Sequence, residues 1–220
     1  MRDTLRHARS TLETELNSSG GDPLFFEDGE VFHGANSHGQ PLAFVLDFVA
    51  IALTQLGVLA ERQLDRLLSG HPEHGLPAFL VAASPGLNRG FAGARHPASA
   101  LVAENRTIGP ASTQSVPFGG GDEDVVSMSL VAARNARRVL GNNNRILAVE
   151  YLAVAQAVDV SRRFDELSPA SQATYDAVRS LVPMLGVDRS MADDIELVAA
   201  ALSRGEFLAA LAKYTDVELR

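Results

Sequence analysis

The run Gly119-Gly120-Gly121-Asp122-Glu123-Asp124 is the densest group of chemistry-bearing residues in this 220-residue chain. Glycines let backbone approach a ligand closely, and neighbouring carboxylates can accept a proton or hold a cation. A P-loop would require a lysine and a hydroxyl after the glycines, and Asp122 stands there instead. The calcium-loop alternation of acidic and amide residues is also missing. Taken alone, the run reads as a loop with acidic residues ahead of a helix, where the positive end of the helix dipole favours negative charge. His33, His38, His71 and His74 form no His-Glu-x-x-His pair, and with no cysteine present no metal site is expected. The absence of cysteine also removes thiolate nucleophiles and disulfides, and no Gly-x-Ser-x-Gly elbow supports a serine hydrolase.

Composition narrows the partners. The formal charge of −8 repels a phosphate backbone. Tryptophan is absent and aromatic residues make up only 6%, too few for a stacking platform, so no nucleic-acid partner is expected. Hydrophobic residues at 46% and charged residues at 21% are globular values. Met1-Arg2-Asp3-Thr4-Leu5-Arg6 lacks the apolar core of a signal peptide. The apolar stretch Phe48 to Ala60, between Asp47 and Glu61, covers 13 residues, whereas a membrane span needs roughly 20. A cytoplasmic protein without a membrane partner is expected.

The elements that must position these residues are mostly helical. A charged helix over 4–17 stops at Ser18-Ser19-Gly20-Gly21-Asp22-Pro23. Aromatic and branched residues around Asp28-Gly29 predict a hairpin near 24–33, the one β signal in the chain. From Pro41, Leu42, Val45, Leu46, Val49, Leu53, Leu56, Ala60, Leu64 and Leu67 recur at helical spacing to about residue 68. The first half of this helix is apolar nearly all round, so part of it is expected to be covered by other subunits. A helical stretch ends near Arg106, and a glycine- and proline-rich loop runs from Thr107 to Asp124. A second long helix is expected over 125–159, antiparallel or nearly so to the first. Shorter helices follow at about 169–182, 190–203 and 205–213, the first with Ser168 as N-cap and Pro169 at its first position. The fold class is all-α, a long-helix bundle with a minor hairpin, divided into a core over 1–160 and a C-terminal helical subdomain over 161–220.

Several segments, taken in order, resemble the histidine and aromatic amino-acid ammonia-lyases. Gly34-Ala35-Asn36-Ser37-His38-Gly39-Gln40-Pro41 is similar to that family's Gly-x-Asn-Phe-His-Gly-x-Pro. Leu76-Pro77-Ala78-Phe79-Leu80-Val81, Gly86-Leu87-Asn88-Arg89-Gly90-Phe91 and Ala100-Leu101-Val102-Ala103-Glu104-Asn105 follow in the family order. So do Pro110-Ala111-Ser112, Glu123-Asp124-Val125-Val126-Ser127-Met128 and Ile146-Leu147-Ala148-Val149-Glu150. The resemblance covers about residues 12–160 and matches only the C-terminal part of the family's chain.

The resemblance implies a helical bundle that assembles as an oligomer and eliminates ammonia from a small amino acid. It also implies an electrophilic methylidene-imidazolone made from Ala-Ser-Gly. No Ala-Ser-Gly occurs here, and Ser18-Ser19-Gly20 falls at a different place in the family order. The family's tyrosines and carboxylate-binding arginine match nothing in this chain. No cofactor is therefore expected in this chain, and the electrophile is expected in a partner chain, an N-terminal-half lyase subunit carrying Ala-Ser-Gly. Homo- and hetero-oligomers are both implied.

By the same resemblance Glu123 is the catalytic candidate, and Asn36, Ser37, His38, Asn88 and Ala92 are the substrate-binding candidates. Glu123 takes a position that is Glu in histidine lyases and Gln in many aromatic lyases. Ser37 stands where the family has a phenylalanine facing the substrate. Ala92 stands where histidine lyases have Met and many phenylalanine lyases have Lys. Both replacements remove volume, which gives either a pocket for a larger substrate or one no longer under selection. Three readings follow: a split ammonia-lyase or 2,3-aminomutase, a non-catalytic lyase-like scaffold or regulatory subunit, and a truncated product.

Overall fold

A computed structural model of the chain describes residues 1–34, 37–117, 119–121 and 124–214. It is all-α with one minor hairpin, as expected. The helices are α1 (Arg2–Leu16), α2 (Gln40–Leu68), α3 (Arg95–Thr107), α4 (Ser129–Ser161), α5 (Pro169–Leu181), α6 (Ala192–Ser203) and α7 (Glu206–Leu211). Strands β1 (Leu24–Phe25) and β2 (Val31–Phe32) pair antiparallel, with Leu24 opposite Phe32. The hairpin turns at Asp28-Gly29, where Gly29 adopts φ 87° and the Asp28 carboxylate accepts from Glu30 N at 3.1 Å.

Two compact units form, each from two stretches of chain: Met1–Gln55 with Asn105–Gly141, and Leu56–Glu104 with Asn142–Arg220. Each long helix contributes its first part to one unit and its last part to the other.

In the first unit the apolar clusters are small. Ala43, Ala111 and Ala132 form one, and Ala50, Leu53, Ala136 and Val139 form the other. Gly39 lies against Ser127 and Ser129, so contacts advance along α2 and α4 in the same direction. The two helices run parallel here, not antiparallel as expected. A short link would force antiparallel neighbours, but α3 lies between α2 and α4 in sequence and makes the return. In the second unit Ser99 and Arg95 of α3 meet Glu61 and Asp65 of α2, an antiparallel pairing. There too Gly57 faces Asn143 and Ile146, and a Cβ on Gly57 would come within 2.4 Å of Asn143 Oδ1.

The second unit holds a continuous core. Leu64, Leu68, Leu80, Phe91, Ile146, Val149, Leu152, Val178, Val182, Val198 and Phe207 are all nearly inaccessible to solvent. Burying a side chain of this size contributes about 1.5–3 kcal/mol. Helix α5 starts as expected, with Ser168 Oγ accepting from Ser171 N at 3.3 Å and Pro169 at the first helical position.

Helix α4 begins at Ser129, four residues later than expected, where Ser127 Oγ accepts from Ser129 N. The helix therefore starts six residues after Glu123 in the sequence, not at it. Among the described residues α2 alone is long and apolar enough to cross a membrane by length and composition. Ending the apolar run at Asp47 understates it, because the helix continues through that residue. A third of its most apolar window is buried within the chain. Phe44, Phe48, Ile51, Leu56 and Leu59 remain exposed.

Candidate functional site

The expected site residues fall in both units. Asn36 and Glu123 lie outside the described residues. Ser37 and His38 are exposed in the first unit, just ahead of α2. The His38 ring contacts Val125 O through Nε2 at 3.1 Å, which brings the start of α2 to the segment just after Glu123 in sequence. That segment is held further by Ser115 Oγ, which accepts from Val126 N at 2.8 Å.

The loop after α3 is anchored more firmly than its composition suggests. Asp47, only 6% exposed in the middle of an apolar helix, accepts from Ser112 N at 2.7 Å. Gln40 Nε2 donates to Ser112 O at 2.9 Å. One residue of the loop is therefore gripped at both its N–H and its carbonyl. Sequence reading treats Asp47 only as the boundary of an apolar run. Its isolation among apolar neighbours is the available signal, because a buried carboxylate requires a partner.

Asn88 and Ala92 belong to the second unit. Both ends of the Asn88 amide are engaged: Nδ2 donates to Ala83 O at 2.9 Å, and Oδ1 accepts from Asp188 N at 3.0 Å. Ala92 is buried at 6% exposure in a turn over Gly90–Ala92 that leads into α3. Just upstream, Phe79, Leu80 and Ser84 all have φ near +50°. Non-glycine residues held in this region cost about 1–3 kcal/mol each and concentrate at functional segments.

Charge in the second unit is mostly paired. Glu61, 4% exposed, accepts from Arg62 and from Ser99 Oγ at 2.8 Å. Asp159 accepts from Arg179 Nη2 at 2.6 Å and from the Tyr175 hydroxyl. Glu150 differs: partial burial pushes its carboxyl up to about 7. It lines a cavity of about 320 Å³ with Tyr151, Val154 and Tyr175. A second cavity of about 410 Å³ opens beside Gly90, Gly93 and Arg145, and a third of about 290 Å³ beside Asp47 and Thr54. Ser37, His38, Asn88 and Ala92 line none of the three. Among the described residues no three His, Asp or Glu side chains are grouped to hold a metal ion.

This helical arrangement is that of a known class. The family model for aromatic amino acid lyases matches residues 1–180, and the chain belongs to that family. It is 72% identical over all 220 residues to an MIO-dependent tyrosine 2,3-aminomutase of Streptomyces globisporus, and covers 41% of that protein. It is 59% identical over 206 residues, 93% of this chain, to a tyrosine ammonia-lyase of Cupriavidus metallidurans, covering 39% of it. The crystal structure of the Streptomyces globisporus tyrosine aminomutase superimposes on the whole chain with a TM-score of 0.95, the chain covering 42% of it. The chain thus spans about two-fifths of the length of these relatives. MIO abbreviates the methylidene-imidazolone group that the resemblance implies. Without an Ala-Ser-Gly tripeptide, the residues present do not provide for making it.

Proposed function

We propose that this chain completes the substrate pocket of an aromatic amino acid 2,3-aminomutase or ammonia-lyase whose electrophile lies on a separate partner chain. The substrate is tyrosine. The observation that carries this reading is 72% identity along the entire chain to a tyrosine 2,3-aminomutase. Chemically, elimination takes ammonia from C2 and a proton from C3 of tyrosine, giving 4-hydroxycinnamate. Return of ammonia to C3 and of a proton to C2 gives β-tyrosine.

In this reading the chain's own residues bind and orient the substrate. An ionised Glu123 accepts a hydrogen bond from the phenol, a contact a phenylalanine ring cannot return. Ser37 supplies space and a hydroxyl where a larger ring would stand, and Asn36 and His38 frame it. Contact of His38 with Val125 supports placing Ser37 and Glu123 at one cavity, since each is close in sequence to one member of that pair. Ala92 forms a small, dry part of the wall, and Asn88 holds the loop that leads to it. The exposed apolar residues of α2 are covered in the oligomer, with the N-terminal-half partner or with further copies. That covering accounts for an apolar helix in a cytoplasmic enzyme without membrane or nucleic-acid partners.

The test is co-expression with the Ala-Ser-Gly-bearing N-terminal half of the tyrosine aminomutase, followed by an assay for 4-hydroxycinnamate and β-tyrosine. Product is expected from the pair and from neither chain alone. In the pair, Glu123→Gln is expected to lower kcat/KM for tyrosine about tenfold or more, the value of one charge-assisted hydrogen bond. An assembled but inactive pair would favour the lyase-like scaffold instead.

A further inference from the structure

Asp188, in the link between α5 and α6, reaches across about a hundred residues of sequence to the turn before α3. Its Oδ2 accepts from Arg89 N at 2.7 Å and its Oδ1 from Gly90 N at 2.9 Å. Its own N–H donates to Asn88 Oδ1 at 3.0 Å. Three successive residues are therefore held by one aspartate. A carboxylate suits this task because each oxygen takes one N–H and charge shortens both bonds.

The link that carries Asp188 is itself fixed. Gln156 of α4, fully buried, donates through Nε2 to Leu185 O at 2.9 Å and to Leu80 O at 3.3 Å. Its Oε1 accepts from Leu185 N at 3.0 Å. One amide thus pins both the α5–α6 link and the left-handed Phe79-Leu80 segment. The clamped turn touches that same segment. Gly90 has φ 54°, and a Cβ there would lie 2.4 Å from Phe79 O. Phe91 and Ala92, the next two residues, are 2% and 6% exposed. The backbone from 88 to 92 is thereby over-determined from two sides, with Asp188 as the outer support.

We propose that Asp188 is a positioning residue for the pocket wall at Gly90-Phe91-Ala92, a latch from the α5–α6 link onto the turn that sets the small side of the pocket. What that wall faces rests on the proposed function. The latch itself rests on the distances above.

The test has two arms. In the first, amide hydrogen exchange is followed in the 220-residue chain. Asp188→Ala is expected to speed exchange at Arg89 and Gly90 about tenfold or more, while amides of 146–152 in α4 stay unchanged. Asp188→Asn, which keeps one acceptor oxygen and turns an NH2 toward the second amide, is expected to have an intermediate effect. It also serves if the alanine variant does not fold. In the second arm, kcat/KM for L-tyrosine and L-phenylalanine is measured on the assembly with the N-terminal half. The ratio of the two is expected to change about fivefold or more, because a displaced wall alters the fit of the ring. A residue that only stabilises the fold would lower both rates equally. Unchanged exchange at Arg89 and Gly90 overturns the latch, and lost protection with an unchanged ratio overturns its role in the pocket. An inactive assembly of the unsubstituted chain refutes the proposed function, and the exchange arm alone then judges the latch.

Discussion

The two units handle apolar surface in opposite ways. The second gathers leucines, valines and two aromatic side chains into one continuous core, and pairs the buried Glu61 and the partly buried Asp159. The first rests on two clusters of three and four residues, mostly alanines, and on polar anchors at Asp47, Gln40 and Ser112. It leaves Phe25, Phe26, Phe32, Phe44, Phe48 and Ile51 exposed. One helix, α2, shows both behaviours: Leu64 and Leu68 are sealed, while Phe44 and Ile51 are more than half exposed. The second unit holds one continuous apolar core, and the first leaves this group of aromatic and aliphatic side chains exposed.

Substitutions that break this contrast have graded effects. The largest is expected at Gln156. Gln156→Ala leaves three backbone groups of the second unit without partners and should cost about 3 kcal/mol, read as a drop in the denaturant midpoint of the whole chain. Next is Asp47→Ala in the first unit. It removes a charged acceptor from Ser112 N, worth about 2 kcal/mol. The loss should be local: faster exchange at Ser112 with the protection of 146–152 retained.

The smallest effect concerns Glu150, and its sign follows from its pKa. The folded-state value, raised to about 7, exceeds the ordinary carboxyl value of 4.5. Between those two values the folded chain binds more protons than the unfolded chain, so stability falls as pH rises through that window. Glu150→Gln should remove the fall and stabilise the chain above pH 7 by about 1 kcal/mol, after discounting for the half-exposed position of the carboxyl. Denaturation curves at pH 5 and pH 8 check this. Parallel pH profiles for the two proteins would refute it.

Much of this was legible in the residues. The 3.6-residue recurrence from Pro41 onward located α2 to within a residue, and Ser168-Pro169 located the start of α5. The ordered motifs also gave the family. What escaped is long-range. Periodicity marks an apolar stripe but not its neighbour's direction, so the parallel course of α2 and α4 was missed. Loop composition marks 107–124 as a loop but carries no sign of its anchors, because the grip of Asp47 and Gln40 on Ser112 spans more than sixty residues. Asp188 likewise looks like an ordinary loop aspartate until the fold brings Arg89 and Gly90 to it. Ala92 and Asn88 were picked out by resemblance alone, and the sequence holds no trace of the clamp between them.

Hydrogen exchange along α2 tests the central claim most directly, because one helix carries both kinds of surface. It should be measured on the 220-residue chain alone and after assembly with the Ala-Ser-Gly-bearing half. Alone, amides of 40–55 should exchange faster than those of 56–68, and assembly should slow the first group at least about tenfold while leaving the second nearly unchanged. Equal protection of both segments in the isolated chain, or no slowing of 40–55 in an assembly shown to form, would contradict a surface built to be covered.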